Sequence, residues 1–408
     1  MKIGILTYHC VPNFGAQLQA TSTVGYLKRM GHEAVVLNWY PKDLEDMYSN
    51  RIPKEQVSSH NNYTKDNLPV TDICRSEKDL LDVIAQKNLD AIIVGSDALF
   101  KYVPECKRKH FSKRKLKFVD NVLSVEKLEG NPFFGGFASK LTKKIPIAAF
   151  SVSSQNCDYN SMTQLEISAM KDAMDNFAYI SVRDEWTKSM VEAITGKKNI
   201  EITPDPVFSF NQNCYIQLPS KENVIKKFDL QEKYILLSFS TWYSSAEYIK
   251  RIADEVENNG FQPVAFPMPE KLFPAEIKKT ISLPLSPIEW YALIVHSSGY
   301  IGERMHPIVV CLHNSVPFYC FDEYGIVKKK IFGIVKEYVI DSSKTYHILH
   351  QAELDDWMYS YKGKKEKPTP KFILDRIATF NRESCYEFSI CQQEKYENGM
   401  KAIMEVLR

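Results

Sequence analysis

Gly299-Tyr300-Ile301-Gly302-Glu303-Arg304-Met305-His306-Pro307 is a short apolar strand that runs directly into a fixed cation, an imidazole and a proline. Proline is at home in the first turn of a helix, where its missing N–H costs nothing, and Ile308, Val309, Val310, Cys311 and Leu312 continue as a buried helical run. The stretch therefore reads as one strand–turn–helix unit of an α/β protein, with Arg304 and His306 at the helix N-terminus. That end carries unpaired backbone N–H groups and a partial positive charge. A phosphate or carboxylate there would meet backbone donors, a guanidinium fork and a ring that titrates near neutrality. The spacing is equally compatible with two basic residues that meet by chance.

The same unit recurs along the chain. Strands are predicted at residues 2–8, 33–38, 91–94, 145–152, 179–182 and 200–203, then at 234–239, 263–267, 281–285, 299–302 and 317–321. Helical stretches alternate with them, such as 16–30, which ends at Gly31 as a C-cap. This rhythm predicts parallel sheets covered on both faces. We expect two Rossmann-like domains facing a cleft, residues 1–215 and 225–362. A linker then begins at Lys362-Gly363-Lys364-Lys365, so that residues 363–408 pack back across both domains as helices.

In open parallel sheets, ligands collect at the carboxyl ends of the strands. His9 to Gly15, Gly95-Ser96-Asp97, Arg183-Asp184, Arg304 with His306, and Asp322-Glu323 all follow predicted strands. Facing domains would put Arg183 on one wall of the cleft and Arg304 with His306 on the other.

Composition narrows the class. The 408 residues exceed what one core usually covers, and 52 basic side chains nearly balance 50 acidic ones, so no global field favours nucleic acid. The nine cysteines are scattered without a C-x-x-C pair, which predicts reduced thiols in a cytoplasmic protein and no zinc site. No metal is expected, because no carboxylates or histidines stand at ligand spacing. Met1-Lys2-Ile3-Gly4-Ile5-Leu6 reads as a first strand, not a signal peptide, and no run approaches the roughly 18 apolar residues of a membrane span. Between Lys101 and Lys117 stand eight Lys or Arg residues and one Glu. This is a solvated loop, or a peripheral contact with the inner membrane face or a diphosphate-linked acceptor.

Six motifs in order, Asn13-Phe14-Gly15-Ala16-Gln17-Leu18-Gln19, Val94-Gly95-Ser96-Asp97, Asn131-Pro132-Phe133-Phe134-Gly135, Ile180-Ser181-Val182-Arg183-Asp184, Asp205-Pro206-Val207 and the stretch from Gly302 to Pro307, resemble the polysaccharide pyruvyltransferase family over nearly the whole chain. The resemblance implies a fold like the GT-B glycosyltransferases. It also implies phosphoenolpyruvate as donor substrate with no further cofactor. The pyruvyl group would pass onto two hydroxyls of a cell-surface sugar, free or lipid-diphosphate-linked, as a cyclic ketal. Carried over by position, the donor-binding residues are Arg183, Arg304, the backbone at Met305, and His306. Met305 stands where many members have Leu, a substitution of similar bulk.

That chemistry needs an acid for the vinyl carbon, a base for two hydroxyls and a stabiliser of the departing phosphate. His306 is the candidate acid, for the carbon or for the phosphate, and Asp97 the candidate base, with a helix-capping role as its alternative. Asn13 and Gln17 would hold acceptor hydroxyls or simply shape the turn and cap the helix. His9 would line the cleft or satisfy a structural role, and Trp242 would stack on a sugar face or pack. Asp205 is expected to order the Pro204-Asp205-Pro206 turn, and Glu303 to pair with an arginine. Two other classes fit the same fold: a nucleotide-sugar glycosyltransferase, with Glu323 on the ribose, and a non-catalytic sugar-binding subunit of glycan assembly.

Overall fold

The computed structural model describes residues 1–408 apart from 113–115, 122, 156, 241–243, 271–276, 332, 333, 341, 342 and 363–365. In chain order the first half contributes β1 (Lys2–Leu6), β2 (Glu33–Val36), β3 (Ala91–Asp97), β4 (Lys109–Ser112), β5 (Lys117–Asp120), β6 (Ile147–Val152), β7 (Phe177–Val182) and β8 (Glu201–Ile202). The second half contributes β9 (Tyr234–Ser238), β10 (Gln262–Ala265), β11 (Lys279–Thr280), β12 (Gly299–Glu303), β13 (Phe318–Asp322), β14 (Gly325–Ile331), β15 (Ile334–Ile340) and β16 (Met358–Ser360). Two parallel six-stranded sheets result, ordered β2-β1-β3-β6-β7-β8 and β11-β10-β9-β12-β13-β16. Every residue of β3, β6, β9 and β12 is buried, as expected where helices cover both faces.

The sequence expectation of two Rossmann-like sheets holds, and the differences fall at the edges. Residues 281–285 were expected as a strand, but β11 ends at Thr280; Pro284 lacks the N–H that a continuing ladder needs. The short edge strand β16 lies outside the expected strands, yet pairs with β13 from Cys320↔Met358 to Asp322↔Ser360. The basic segment is not a plain loop, since β4 and β5 form an antiparallel hairpin. Arg108 pairs there with Glu129 at 2.6 Å, Lys107 with Asp158 at 3.3 Å and Lys109 with Asp120 at 3.8 Å, so part of its positive charge is spent internally.

The halves are welded behind the cleft. Phe14 stacks on Trp290 with ring centroids 5.2 Å apart and planes 12° apart, and Gln56 exchanges two 2.8 Å hydrogen bonds with the backbone of Leu285. Such a stack contributes roughly 0.5–1.5 kcal/mol beyond its burial. Helix Pro370–Ala378 lays Ile373, Leu374 and Ile377 on the second sheet beside Tyr319 and Phe321. Helix Arg382–Val406 crosses from Leu312 and Phe318 of one half, through Cys385, to Ile3, Ile5 and Phe150 of the other, through Tyr396, Met400 and Ile403. Among the described residues no helix is long and apolar enough to cross a membrane, and all nine cysteines are unpaired.

Candidate active site

The order of the first sheet turns back between β1 and β3, and that of the second between β9 and β12. Connections leave opposite faces at such a point and open a crevice at the carboxyl ends. The two crevices face each other around a cavity of about 700 Å³, bordered by Asn13 and Gly15 after β1 and by Ser240, Glu303, Arg304, Met305 and His306 around the ends of β9 and β12. Helix Met305–His313 begins where the sequence places it, with Arg304 at the cap and Pro307 in the first turn.

Within the cleft, His306 of the second half packs directly on Gly15 of the first. A Cβ built at Gly15 would lie 2.0 Å from His306 Cγ and 2.3 Å from Cδ2 and Nδ1, so only glycine leaves room for the ring. His306 Nε2 stands 4.0 Å from Asp205 Oδ2, has no hydrogen-bond partner and is buried. Burial lowers the affinity of the imidazole for its proton, against the opposing pull of Asp205 and Asp97.

Behind the ring lies a buried ionic network. Asp205 accepts the Val207 N–H through Oδ1 at 3.0 Å, which orders the proline-flanked turn as expected. Its Oδ2 accepts Gln19 Nε2 and Arg183 Nη1, both at 2.6 Å. Arg183 Nη2 is 3.7 Å from Asp97 Oδ1, and its Nε and Nη2 find no hydrogen-bond acceptor although the residue is only 4% exposed. Sequence reasoning put Arg183 on the cleft wall. The structure draws its guanidinium one layer deeper, because Asp205 and Asp97 hold it from two sides, and it borders a smaller pocket of about 230 Å³.

Asp97 closes β3 with φ at +92°, a conformation that costs a non-glycine residue about 1–3 kcal/mol and is held by the surroundings. It caps no helix, since the next helical turn starts at Glu105; its Oδ1 accepts the adjacent Ala98 N–H at 2.7 Å. Burial opposes its ionisation, but Lys344, His306 and Arg183 outweigh burial and hold the carboxyl below the usual range. Arg304 is strained likewise, with φ at +83°, and its guanidinium extends to Glu270 Oε1 at 3.3 Å with the side chain 58% exposed. Met305 follows as the first helical residue and borders the cavity.

Lys344 is the member that sequence reasoning missed. It starts helix Lys344–Gln351, reaches the cavity and brings Nζ to 3.8 Å from Asp97 Oδ1. Burial, reinforced by Arg183, pushes its pKa down to about 8. Ser343-Lys344-Thr345 reads as an ordinary helix start, so no local signal marks it. Only the fold carries it to Asp97.

Two acceptor-side expectations, and the one for Glu303, need correction. Gln17 is fully buried and committed: Nε2 donates to the carbonyls of His9 and His60 and to Thr64 Oγ1, while Oε1 meets His60 Nδ1. His9 is also fully buried, its ring spent on Thr7 O at 2.9 Å and Asn38 Oδ1 at 3.0 Å. Neither can meet a sugar, because each points inward from a turn whose backbone it secures. Among the described residues Glu303 forms no ion pair with an arginine, feeling Arg304 only at longer range; it accepts the Ser240 N–H and the Tyr361 hydroxyl, both at 3.1 Å. Asn13 does border the cavity, with its side-chain oxygen capping the first helix through the Ala16 N–H. Trp242 lies outside the described residues. Among the described residues no group of three His, Cys, Asp or Glu side chains could hold a metal.

Two facing Rossmann-like domains with a charged interdomain cleft define a GT-B enzyme fold. Solved structures agree in fold. Arabidopsis thaliana UGT89C1 is 11% identical, covers 100% of this chain and 99% of its own, and superposes with a TM-score of 0.53. The UDP-GlcNAc 2-epimerase of Methanocaldococcus jannaschii is also 11% identical, with 96% and 99% covered and a TM-score of 0.51. Within this fold the sequence settles the family: residues 13–323 match the family model for polysaccharide pyruvyl transferases, and the chain belongs to that family. No curated protein matches it.

Proposed function

We propose that this enzyme takes the pyruvyl group of phosphoenolpyruvate, joins it to two hydroxyls of a cell-surface sugar as a cyclic ketal, and releases phosphate. One observation carries the reading. Lys344, His306 and Arg304 line one cavity, with buried Arg183 behind it between Asp97 and Asp205 and with Glu270 beside Arg304, and His306 Nε2 lacks a hydrogen-bond partner. A small dianion with a second anionic group would complete that set. Phosphoenolpyruvate offers a phosphate and a carboxylate on one carbon, and guanidinium groups bind both in bidentate geometry.

Arg304, the Met305 backbone N–H and His306 hold the phosphate at the start of helix Met305–His313, where the helix dipole favours it. Arg183 acts through Asp205 and Asp97, fixing the carboxylates that face His306. His306 hands a proton to the leaving phosphate, and ionised Asp97 takes one from an acceptor hydroxyl. The acceptor enters beside Asn13 and is either a free glycan or one still attached to a lipid diphosphate.

The test is phosphate release from phosphoenolpyruvate across a panel of free and diphosphate-linked sugars. The expected product gains the mass of pyruvic acid less one water and regains the parent sugar on mild acid. Glycosyl transfer from a nucleotide sugar to the same panel, with no such product, would replace this reading.

A further inference from the structure

We propose that Lys344 is the acid that protonates the vinyl carbon of the donor, a role that rests on the pyruvyl-transfer reading above. Its placement is the first argument. Lys344 belongs to the second half of the chain, yet its ammonium crosses the cleft to Asp97 in the first, in the same cavity as Arg304 and His306. The second argument is that the position breaks a local rule. A cation in the first turn of a helix opposes the dipole, and burying it, with a side chain only 13% exposed, adds a desolvation cost. Such a conflict marks a site whose chemistry outweighs stability.

The surroundings set the acidity. Facing Lys344 are Asp97 at the end of β3, Lys101 beyond it, Arg183 after β7, Asp184 capping helix Glu185–Thr195, and His306 on helix Met305–His313. Burial and Arg183 weaken its hold on the proton, while Asp97 and Asp184 keep the ammonium populated; a pKa of about 8 makes it a stronger acid than a solvated lysine. His306 Nε2 faces Asp205, which leaves it to the phosphate.

The protons then balance. An N–H bond of Lys344 breaks as the alkene electron pair forms a C–H bond, turning the vinyl CH2 into a methyl group. The first hydroxyl oxygen bonds the adjacent carbon and gives its proton to Asp97, which returns it to Lys344. The C–O bond to phosphate then breaks, and the second hydroxyl closes the ring as its proton passes through His306 to the phosphate. The two hydroxyl protons end on the methyl group and on phosphate, with no other reactant.

Lys344→Met, Lys344→Arg and Lys344→Ala test it, with phosphoenolpyruvate and whichever panel sugar the wild type pyruvylates. Lys344→Met is expected to bind phosphoenolpyruvate within about threefold of wild type while kcat falls by roughly 10³. Lys344→Arg should remain as slow, because it keeps the charge and loses the acid. Ethylamine added to Lys344→Ala should restore part of the rate, and the basic limb of the wild-type kcat profile near pH 8 should vanish in Lys344→Met. Wild-type rate in Lys344→Arg would overturn the proposal, as would a loss confined to phosphoenolpyruvate affinity with kcat intact. A wild type that pyruvylates no sugar would instead sink the pyruvyl-transfer reading itself. Thermal unfolding of each variant separates a folding defect from a chemical one; Lys344→Arg, which preserves charge and length, is the deciding variant if Lys344→Met unfolds.

Discussion

Gly15→Ala isolates the contact on which the cleft closes. Gly15 lies in the first turn of helix Phe14–Arg29 without a positive φ, so the helix itself accepts alanine and gains about 0.5–1 kcal/mol from it. The added Cβ, however, would sit 2.0 Å from His306 Cγ. Carbon atoms rest at about 3.5–4.0 Å, so the ring must retreat by roughly 1.5 Å. Overpacking of this kind costs about 1–3 kcal/mol, partly offset by the helix gain, and a 1 Å displacement of a reacting group slows catalysis by about 10². We expect phosphoenolpyruvate-dependent kcat/KM to fall about 100-fold, equivalent to about 2.7 kcal/mol, with a melting temperature lowered by only a few degrees. In a His306→Ala background the same substitution should be nearly silent, because the ring it collides with is gone. Wild-type kcat/KM in Gly15→Ala, or a full additional loss in the double variant, would refute the reasoning.

Arg183→Met should leave Asp205 buried without its close cation, while Asp97 keeps Lys344, and destabilise the protein by about 3–5 kcal/mol, measured by urea unfolding at pH 7. Gln17→Ala removes four buried hydrogen-bonding contacts and should cost about 2–4 kcal/mol while leaving the acceptor KM unchanged in the folded fraction; a specific rise in that KM would return Gln17 to the acceptor site. Burial lowers the pKa of His60 to about 3 and of His313 to about 4, so the unfolded chain binds more protons below its own value near 6.5. Stability from both rings is therefore present above pH 6.5 and lost as pH falls. Moving from pH 7 to 5 should cost about 2 kcal/mol per ring, and His313→Gln should flatten that slope in urea titrations.

Much of the fold was legible because its signals are local. Residues 91–94 and 299–302 are continuous apolar runs bounded by turns, and Pro307 fixes where a helix starts. Strand ends then point to ligands by topology alone, which brought Arg304, Met305 and His306 to one cavity with Asp97 behind it, 3.8 Å from Lys344. What escaped depends on distance in the chain. Lys344 matters only because the second half delivers it to Asp97, and Arg183 recedes only because two carboxylates outside its own segment hold it. His9 and Gln17 follow the first strand, as ligands often do, but their partners at Asn38, His60 and Thr64 lie in segments whose docking no local pattern predicts.

The central claim is that phosphoenolpyruvate is the donor and that Arg304 with His306 holds it. Calorimetric titration of phosphoenolpyruvate into the wild type and into Arg304→Ala tests this without knowledge of the acceptor, with a uridine-diphosphate sugar titrated in parallel. Saturable binding of phosphoenolpyruvate that Arg304→Ala abolishes, with none of the nucleotide sugar, is the predicted result. Binding of the nucleotide sugar alone, unaffected by Arg304→Ala, would contradict the account.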